Sequence, residues 1–140
     1  MQFPSPEWLM AAVAAVNRHP DLATALHGMG ADLAAVVEAE PPAVPAEVGV
    51  YGRQAGGRIV DVRVLEDCDE IWELEPAYVV RAPYRVWKAL LRGEDPVRAV
   101  MSGRVRVQGD LEALVRRAHY RYLVDAAVSE IDTTFVDEGS

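Results

Sequence analysis

Cysteine and histidine are scarce in this chain. It has one cysteine, Cys68, so no disulfide can form within it, and three histidines, His19, His27 and His119. Zinc and iron sites are usually built from several Cys and His side chains at characteristic spacing, and no such set is present. The sequence therefore predicts a protein of a reducing compartment that holds no metal and no other cofactor.

The chain also lacks a long apolar run. Residues 8–16 (WLMAAVAAV) are too few to cross a bilayer, and Glu7 precedes them where a signal peptide would carry basic residues. We therefore expect a cytoplasmic protein. Its 140 residues, 51% of them hydrophobic, can bury a sizeable core, so we expect a single domain over residues 1–140.

Positive charge is limited and unevenly placed. The chain has 14 basic and 22 acidic side chains, a net charge of −8, yet residues 81–121 carry ten basic and four acidic ones. Nucleic-acid binding depends on neutralising phosphates, so we expect no nucleic-acid partner. Arg104 and Arg106 alternate with valines, which predicts that they face solvent and do not line a tunnel. We expect them to balance the acidic residues 1–80; the alternative is that they steer the domain onto anionic membranes or acidic partners.

Sequence signatures of catalysis are missing. Cys68 lies among acidic residues, whose negative field suppresses the reactive thiolate. Ser102 is not in a Gly-x-Ser-x-Gly elbow, and residues 28–30 (GMG) lack the third glycine and the preceding strand of a dinucleotide loop. The acidic residues 66–70 lack the glycine turn and the final glutamate of a calcium loop. We predict no catalytic residues and no enzymatic activity.

The first half of the chain shows one good helix and several strands. Ser5 can cap and Pro6 can start a helix that ends before Pro20. We expect Trp72, which lies among acidic residues, to cover an edge of the core. Periodicity predicts a short helix over residues 21–27, strands over 31–39 and 78–82, and an antiparallel hairpin of 48–54 and 58–65 around Gly56 and Gly57, with Val60, Val62 and Val64 on one face.

The most informative stretch is residues 86–114 (VWKALLRGEDPVRAVMSGRVRVQGDLEAL). Apolar residues at helical spacing predict a helix that ends at Gly93, after which Asp95 can cap and Pro96 can start a second helix. Residues 104–108 alternate basic and apolar side chains like a strand with one wet and one buried face. A longer helix with a wide apolar face is predicted from residue 111 to about residue 131.

This order of signals resembles the sterol carrier protein 2 family, the sterol-transfer domain of small lipid-binding proteins. The resemblance is strong over residues 82–110, weaker from there to Phe135, and only topological before residue 82. It implies an α+β fold, a mixed sheet of about five strands with helices packed on one face and a hydrophobic tunnel between the layers, and it brings no catalytic residues. The matching positions are Trp87, Gly93, Asp95, Pro96, Met101, Ser102, Gly103, Val105, Val107, Gly109 and Asp110.

Inward-facing apolar residues of the helices are the candidate lipid-binding residues, because they would border the space between helices and sheet. They are Val86, Trp87, Leu90, Val97, Val100, Met101, Leu114, Tyr122, Leu123, Ala126 and Ile131. The resemblance implies non-catalytic binding, and transfer, of lipids such as fatty acyl chains or sterol-like molecules. The alternatives are an interaction or accessory module that keeps the fold with a filled tunnel, and an enzyme subunit.

The expected partner is thus an apolar lipid ligand, with transient contact to a membrane when the lipid is exchanged. The wide apolar face of the last predicted helix needs two surfaces to cover it: the sheet, and either a bound ligand or another subunit. The alternative is that the N-terminal helix covers it. The sequence therefore leaves both a monomer and a homodimer open.

Overall fold

In a computed structural model of the protein, the described residues are 1–19, 32–65, 67, 69–109 and 126–138. In chain order the elements are β1 (Gln2–Phe3), α1 (Pro6–Arg18), β2 (Asp32–Glu38), β3 (Val48–Ala55), β4 (Arg58–Leu65), α2 (Glu70–Leu74), β5 (Tyr78–Pro83), α3 (Tyr84–Leu91), α4 (Pro96–Met101), β6 (Arg106–Gln108) and β7 (Thr134–Phe135). Residues 126–128 are also helical and lead into a turn.

Two helices begin where their capping residues predict. The backbone N–H of Trp8 donates to Ser5 Oγ at 3.1 Å at the start of α1, and that of Val97 donates to Asp95 Oδ1 at 3.0 Å at the start of α4. A proline follows each cap, where its missing N–H costs the helix no hydrogen bond. The predicted helix at residues 21–27 and most of the predicted last helix lie outside the described residues.

The main sheet has five strands in the order β4-β3-β2-β5-β6. Strands β2 and β5 are parallel, and the other neighbouring pairs are antiparallel. The predicted hairpin is present, and Gly56 and Gly57 supply the two positive φ angles, 60° and 77°, that a tight turn between twisted strands needs. The predicted mixed sheet of about five strands is confirmed.

One detail of the hairpin prediction is wrong. Val60 does not share a face with Val64, because the register shifts between them: Arg53 pairs with Val60, whereas Tyr51 pairs with Arg63 and Val50 with Val64. Asp61 is the extra residue of this bulge, with φ 52°, and its carboxylate accepts hydrogen bonds from the Arg53 guanidinium. A bulge inserts one residue and so reverses the alternation beyond it.

The register divides the sheet into two faces, since directly opposed residues point to the same side. The helix face carries Val37, Val50 and Ala82, and α1, α3 and α4 pack on it. The outer face carries Ala34, Val36 and Tyr51, and the short helix α2 packs on it through Ile71 and Leu74. The three longer helices thus form one layer, as predicted, and α2 adds a small cover on the other side.

The N-terminal and C-terminal ends of the described chain form a second, two-stranded sheet that the sequence did not predict. Strands β1 and β7 are parallel, with Gln2 paired to Thr134 and Phe3 to Phe135. The Phe3 side chain is only 2% exposed, and its ring centroid lies 4.7 Å from that of Trp8 on α1. The two ends are therefore held together by an aromatic core next to the helix layer.

Candidate functional site

A row of small aliphatic side chains crosses the helix face from one edge of the sheet to the other. Val64 pairs with Val50, Val50 with Ala35, Ala35 with Val80, and Val80 with Val107, so each of the five strands contributes one residue. We call these five residues the aliphatic row. None of its side chains carries a hydrogen-bonding group, so the row can contact a ligand only through apolar surface.

The aliphatic row is less well covered than the opposite side of the same strands. All five of its side chains are half-buried, although the row faces the helix layer. On the outer face, Ala34 and Val36 are 0% exposed and Val79 is buried as well. Val50 and Val64 pack at the side of the cluster that contains Trp8 and Tyr84, and Val80 and Val107 pack at the side of the cluster that contains Val86 and Ala99. The helices thus cover the aliphatic row in part, whereas Ala34, Val36 and Val79 are fully enclosed on the outer face.

The next residues along the strands are buried, unlike those of the aliphatic row. Val37 and Ala82 follow the aliphatic row on the helix face and are buried under α3, where they pack near Tyr84 and Val86. The Trp87 indole N–H donates to the Val36 carbonyl oxygen at 2.9 Å, which fixes α3 on the sheet. Trp87 thus has a structural role in addition to any contact with a ligand.

On the other side, α1 is fixed to the edge strand β4. The Asn17 amide donates to the Ile59 carbonyl at 3.0 Å and accepts from the Ile59 N–H at 2.9 Å, as a neighbouring strand would. Gly52 makes room for Ile59, because a Cβ there would lie 2.6 Å from Ile59 Cγ2. Helices α1 and α3 are therefore held on separate parts of the sheet, with the aliphatic row between their anchoring points.

The predicted helix residues occupy different environments. Val86 is 7% exposed and packs with Ala82, Ala99 and Val105, while Trp87, Leu90 and Val100 are half-buried around that cluster. Val97 is half-buried too. Ile131 is half-buried against the cluster of Trp8 and Tyr84. Leu114, Tyr122 and Leu123 lie outside the described residues.

Two of the predicted placements are wrong. Met101 is 75% exposed, because it ends α4 and the buried anchor of that short helix is Ala99. Ala126 is exposed, and the adjacent Ala127 is the buried residue of this turn of helix. The strand residues of the aliphatic row were not predicted as a site, since their alternation indicates a buried face but not which residues of other strands lie beside them.

Most basic residues of β5, β6 and the α3–α4 region have acidic partners. Arg104 pairs with Glu94 and Arg106 with Glu38; both arginines are exposed and both glutamates are half-buried. Arg81 Nη1 lies 3.5 Å from a Glu47 carboxylate oxygen. These arginines balance acidic residues of the same domain, and Arg106 lies opposite Arg81 on the outer face, away from the aliphatic row.

The residues after β7 are fastened to α3 by charged hydrogen bonds. The Tyr84 hydroxyl donates to Asp137 Oδ1 at 2.6 Å, Lys88 Nζ donates to the same carboxylate at 2.9 Å, and Arg92 Nη2 lies 2.7 Å from Glu138 Oε2. The Tyr84 hydroxyl and Lys88 lower the pKa of Asp137, and Arg92 and Lys88 lower the pKa of Glu138. We call residues 134–138 the C-terminal strap.

These lowered pKa values predict an acid-sensitive contribution to stability. A carboxyl group whose pKa is lower in the folded protein stabilises it above its ordinary pKa, and that stabilisation is lost as the pH falls through the folded value. Melting temperature should therefore fall less steeply below about pH 4 in Asp137→Asn than in the wild type. Glu73→Gln, at an exposed carboxylate of α2, is the matched control; equal slopes for Asp137→Asn and the wild type would contradict the prediction.

Among the described residues, no group of three or more His, Cys, Asp or Glu side chains could hold a metal ion. Within the same residues, no helix is long and apolar enough to span a bilayer. The polar groups that we describe around the helix layer serve caps, sheet edges and the C-terminal strap. The feature of the described helix layer that suggests ligand binding is therefore apolar.

Comparison with known proteins supports the resemblance to the sterol carrier protein 2 family. The model of the SCP-2 sterol transfer family matches residues 59–118, a range that includes the motif-bearing residues 82–110, so the resemblance predicted from the sequence is confirmed. A search of curated proteins finds no match.

Solved structures of low sequence identity share the fold. A crystal structure of sterol carrier protein 2 has a TM-score of 0.71 and 23% identity, over 89% of this chain and 95% of its own. A conserved hypothetical protein of Thermus thermophilus, described as a possible sterol carrier protein, has a TM-score of 0.74 and 22% identity, over 93% and 90%. A structure titled UbiJ-SCP2 ubiquinone synthesis protein has a TM-score of 0.54 and 21% identity, over 89% and 95%.

Proposed function

We propose that this chain, which has the fold of sterol carrier protein 2 and matches the SCP-2 sterol transfer family over residues 59–118, binds an apolar lipid between its sheet and its helices. The ligand would be a fatty acyl chain or another elongated apolar molecule. Binding requires no catalytic group, and exchange of the ligand with a membrane would make the protein a lipid carrier.

The aliphatic row is the observation that carries this proposal. Five strands at the usual spacing of ~4.8 Å give the row a length of ~19 Å, which suits an extended acyl chain lying across the strands. Its side chains are four valines and one alanine, so a ligand would contact a surface of small aliphatic groups. The half-buried state of all five side chains supports a tunnel at this place.

The expected binding free energy is that of an apolar site with moderate affinity and low selectivity. Burying ~12 methylene groups at ~0.8 kcal/mol each would contribute roughly 10 kcal/mol before the costs of association and of ordering the chain. These costs commonly consume several kcal/mol and leave micromolar affinity or somewhat better. Selectivity would follow ligand length and width, because the aliphatic row presents no donor or acceptor.

Ala35 offers the sharpest test, because it lies at the centre of the row and is the smallest side chain there. In Ala35→Trp the indole should occupy the space above β2 and weaken binding of a fluorescent fatty acid by at least about tenfold, as an overpacked site cannot also hold the ligand. Val60→Trp is the matched control, since Val60 is a half-buried strand valine on the outer face. Titration of both proteins checks the expectation.

A smaller substitution at the same position distinguishes loss of binding by a filled site from loss of binding by misfolding. Ala35→Leu adds less volume and should weaken binding of the same probe by a smaller factor while the protein stays folded by circular dichroism. Unchanged affinity in a folded Ala35→Trp protein would contradict a site on the aliphatic row. A wild-type protein that neither binds the probe nor carries lipid in native mass spectrometry would support the alternative, an accessory module with a filled tunnel.

A further inference from the structure

Helix α2 presents the most exposed large apolar side chain of the described residues. Trp72 is 78% exposed, although its neighbour Ile71 is buried and Leu74 packs against the outer-face cluster. A covered tryptophan buries about 150–250 Å² of surface. The exposure of Trp72 therefore forgoes a large favourable free energy of burial. The other two tryptophans of the chain, Trp8 and Trp87, are buried or half-buried and hydrogen-bonded.

The backbone around Trp72 is held in place by hydrogen bonds on both sides. The Trp72 N–H donates to the Asp69 carbonyl at 3.0 Å, and the Glu75 N–H donates to the Ile71 carbonyl at 2.9 Å. Just after α2, the Ala77 N–H donates to Asp32 Oδ1 at 2.7 Å and ties the segment to the start of β2. Tryptophan is enriched among the residues that contribute most to binding at protein interfaces, so an exposed tryptophan on a fixed backbone suits an interface.

The segment that carries Trp72 is uniformly negative. Residues 66–75 contain six acidic and no basic side chains. The five described ones make no ion pair with any described residue, whereas acids elsewhere, such as Glu38, Glu94 and Glu138, are paired with arginines. We call Trp72 and these carboxylates the acidic tryptophan surface; its carboxylates are Asp67, Asp69, Glu70, Glu73 and Glu75.

We infer that the acidic tryptophan surface docks a basic protein segment that carries apolar side chains among its lysines and arginines. Such a partner covers the indole, places cations against carboxylates that have no ion pair with any described residue, and can stack an arginine on the ring face. Anionic lipid surfaces and nucleic acids would be repelled by the same carboxylates. The surface lies on the outer side of the sheet, so docking should leave the aliphatic row accessible.

The experiment uses the full chain and a short synthetic peptide with leucine and lysine at helical spacing, labelled for fluorescence anisotropy. We expect Trp72→Ala to raise the dissociation constant at least about tenfold, as loss of an interface anchor does. The pair Glu70→Gln and Glu73→Gln should weaken binding several-fold near 0.1 M salt and less at high salt, where charges are screened. Trp72 and Glu73 are exposed, and glutamine at the half-buried Glu70 has nearly the same shape as glutamate, so these variants should fold.

Matched controls distinguish binding at the acidic tryptophan surface from non-specific apolar or electrostatic binding of the peptide elsewhere. Met101→Ala removes another exposed apolar side chain and Glu7→Gln another exposed carboxylate, and both should bind the peptide within about twofold of the wild type. A peptide with serine in place of leucine should bind much more weakly. Uptake of a fluorescent fatty acid should be unchanged by Trp72→Ala and by bound peptide, so this test is independent of the proposed lipid site.

Four results would overturn the inference. They are no binding of the leucine–lysine peptide by the wild type, equal binding by Trp72→Ala, equal binding of the serine peptide, and equal loss in the two controls. A Trp72-dependent dimer in sedimentation equilibrium would assign the surface to a second copy instead. Trp72-dependent binding to phosphatidylglycerol vesicles would assign it to a lipid surface.

Discussion

Replacing Phe3 with alanine should lower the free energy of unfolding by about 3–5 kcal/mol, the usual cost of removing a fully buried phenylalanine. Phe3 joins three parts of the molecule, because its ring lies against Trp8 of α1, Tyr84 of α3 and Phe135 of β7. The cavity left by alanine would be lined by these aromatic rings, which cannot collapse into it without moving both chain ends. Urea denaturation followed by circular dichroism measures the loss.

Gln2 provides the control for this prediction, since it belongs to the same strand and is exposed. Gln2→Ala keeps the β1–β7 backbone pairing and should change the unfolding free energy by less than about 0.5 kcal/mol. Phe3→Leu should fall between the two. A Phe3→Ala protein within about 1 kcal/mol of the wild type would show that the chain ends contribute little to the packing of the helix layer.

Gly109→Ala should be the second severe substitution. A Cβ at this position would lie 2.4 Å from the Ala77 carbonyl oxygen and 2.8 Å from Tyr78 Cδ1, and the backbone φ is +122°. The closest atom belongs to the backbone, so no change of rotamer can relieve the contact and the end of β6 must move away from β5. We expect a loss of about 3 kcal/mol or more from strain and overpacking together.

Gly93 separates the two causes. It also has a positive φ, +104°, but a Cβ there would meet nothing within 4 Å. Gly93→Ala should therefore cost only the conformational strain, about 1 kcal/mol, and the difference between the two variants measures the contact at Gly109. Thermal unfolding of both proteins measures these losses of stability. Equal losses at the two glycines would refute the steric explanation.

Local features of the fold were predictable because they depend on residues close in sequence. The start of α1 follows from Ser5 and Pro6, and that of α4 from Asp95 and Pro96, through hydrogen bonds that span two or three residues. The hairpin turn follows from two adjacent glycines. The family resemblance over residues 82–110 likewise depended on the order of such local signals.

The candidate site was only partly predictable, because it depends on register between distant strands. Alternation predicts that Val80 and Val107 face a core, but only the sheet order places Ala35 between Val50 and Val80. A single bulge at Asp61 was enough to turn Val60 to the other face. The helix residues were predicted from their spacing, and Met101 and Ala126 were misplaced because spacing alone does not say how a short helix or a helix end is anchored.

By itself, the sequence determined which segments form the capped helices and the alternating strands. The scarcity of Cys and His is likewise a property of the sequence alone. The tertiary structure decided which side chains meet across long separations. It buried Phe3 against Phe135, fastened Asp137 to Tyr84 and Lys88, aligned the aliphatic row across five strands, and left Trp72 in water. The physical reason is that caps and turns are satisfied within a few residues, whereas burial is decided by the packing of the whole chain.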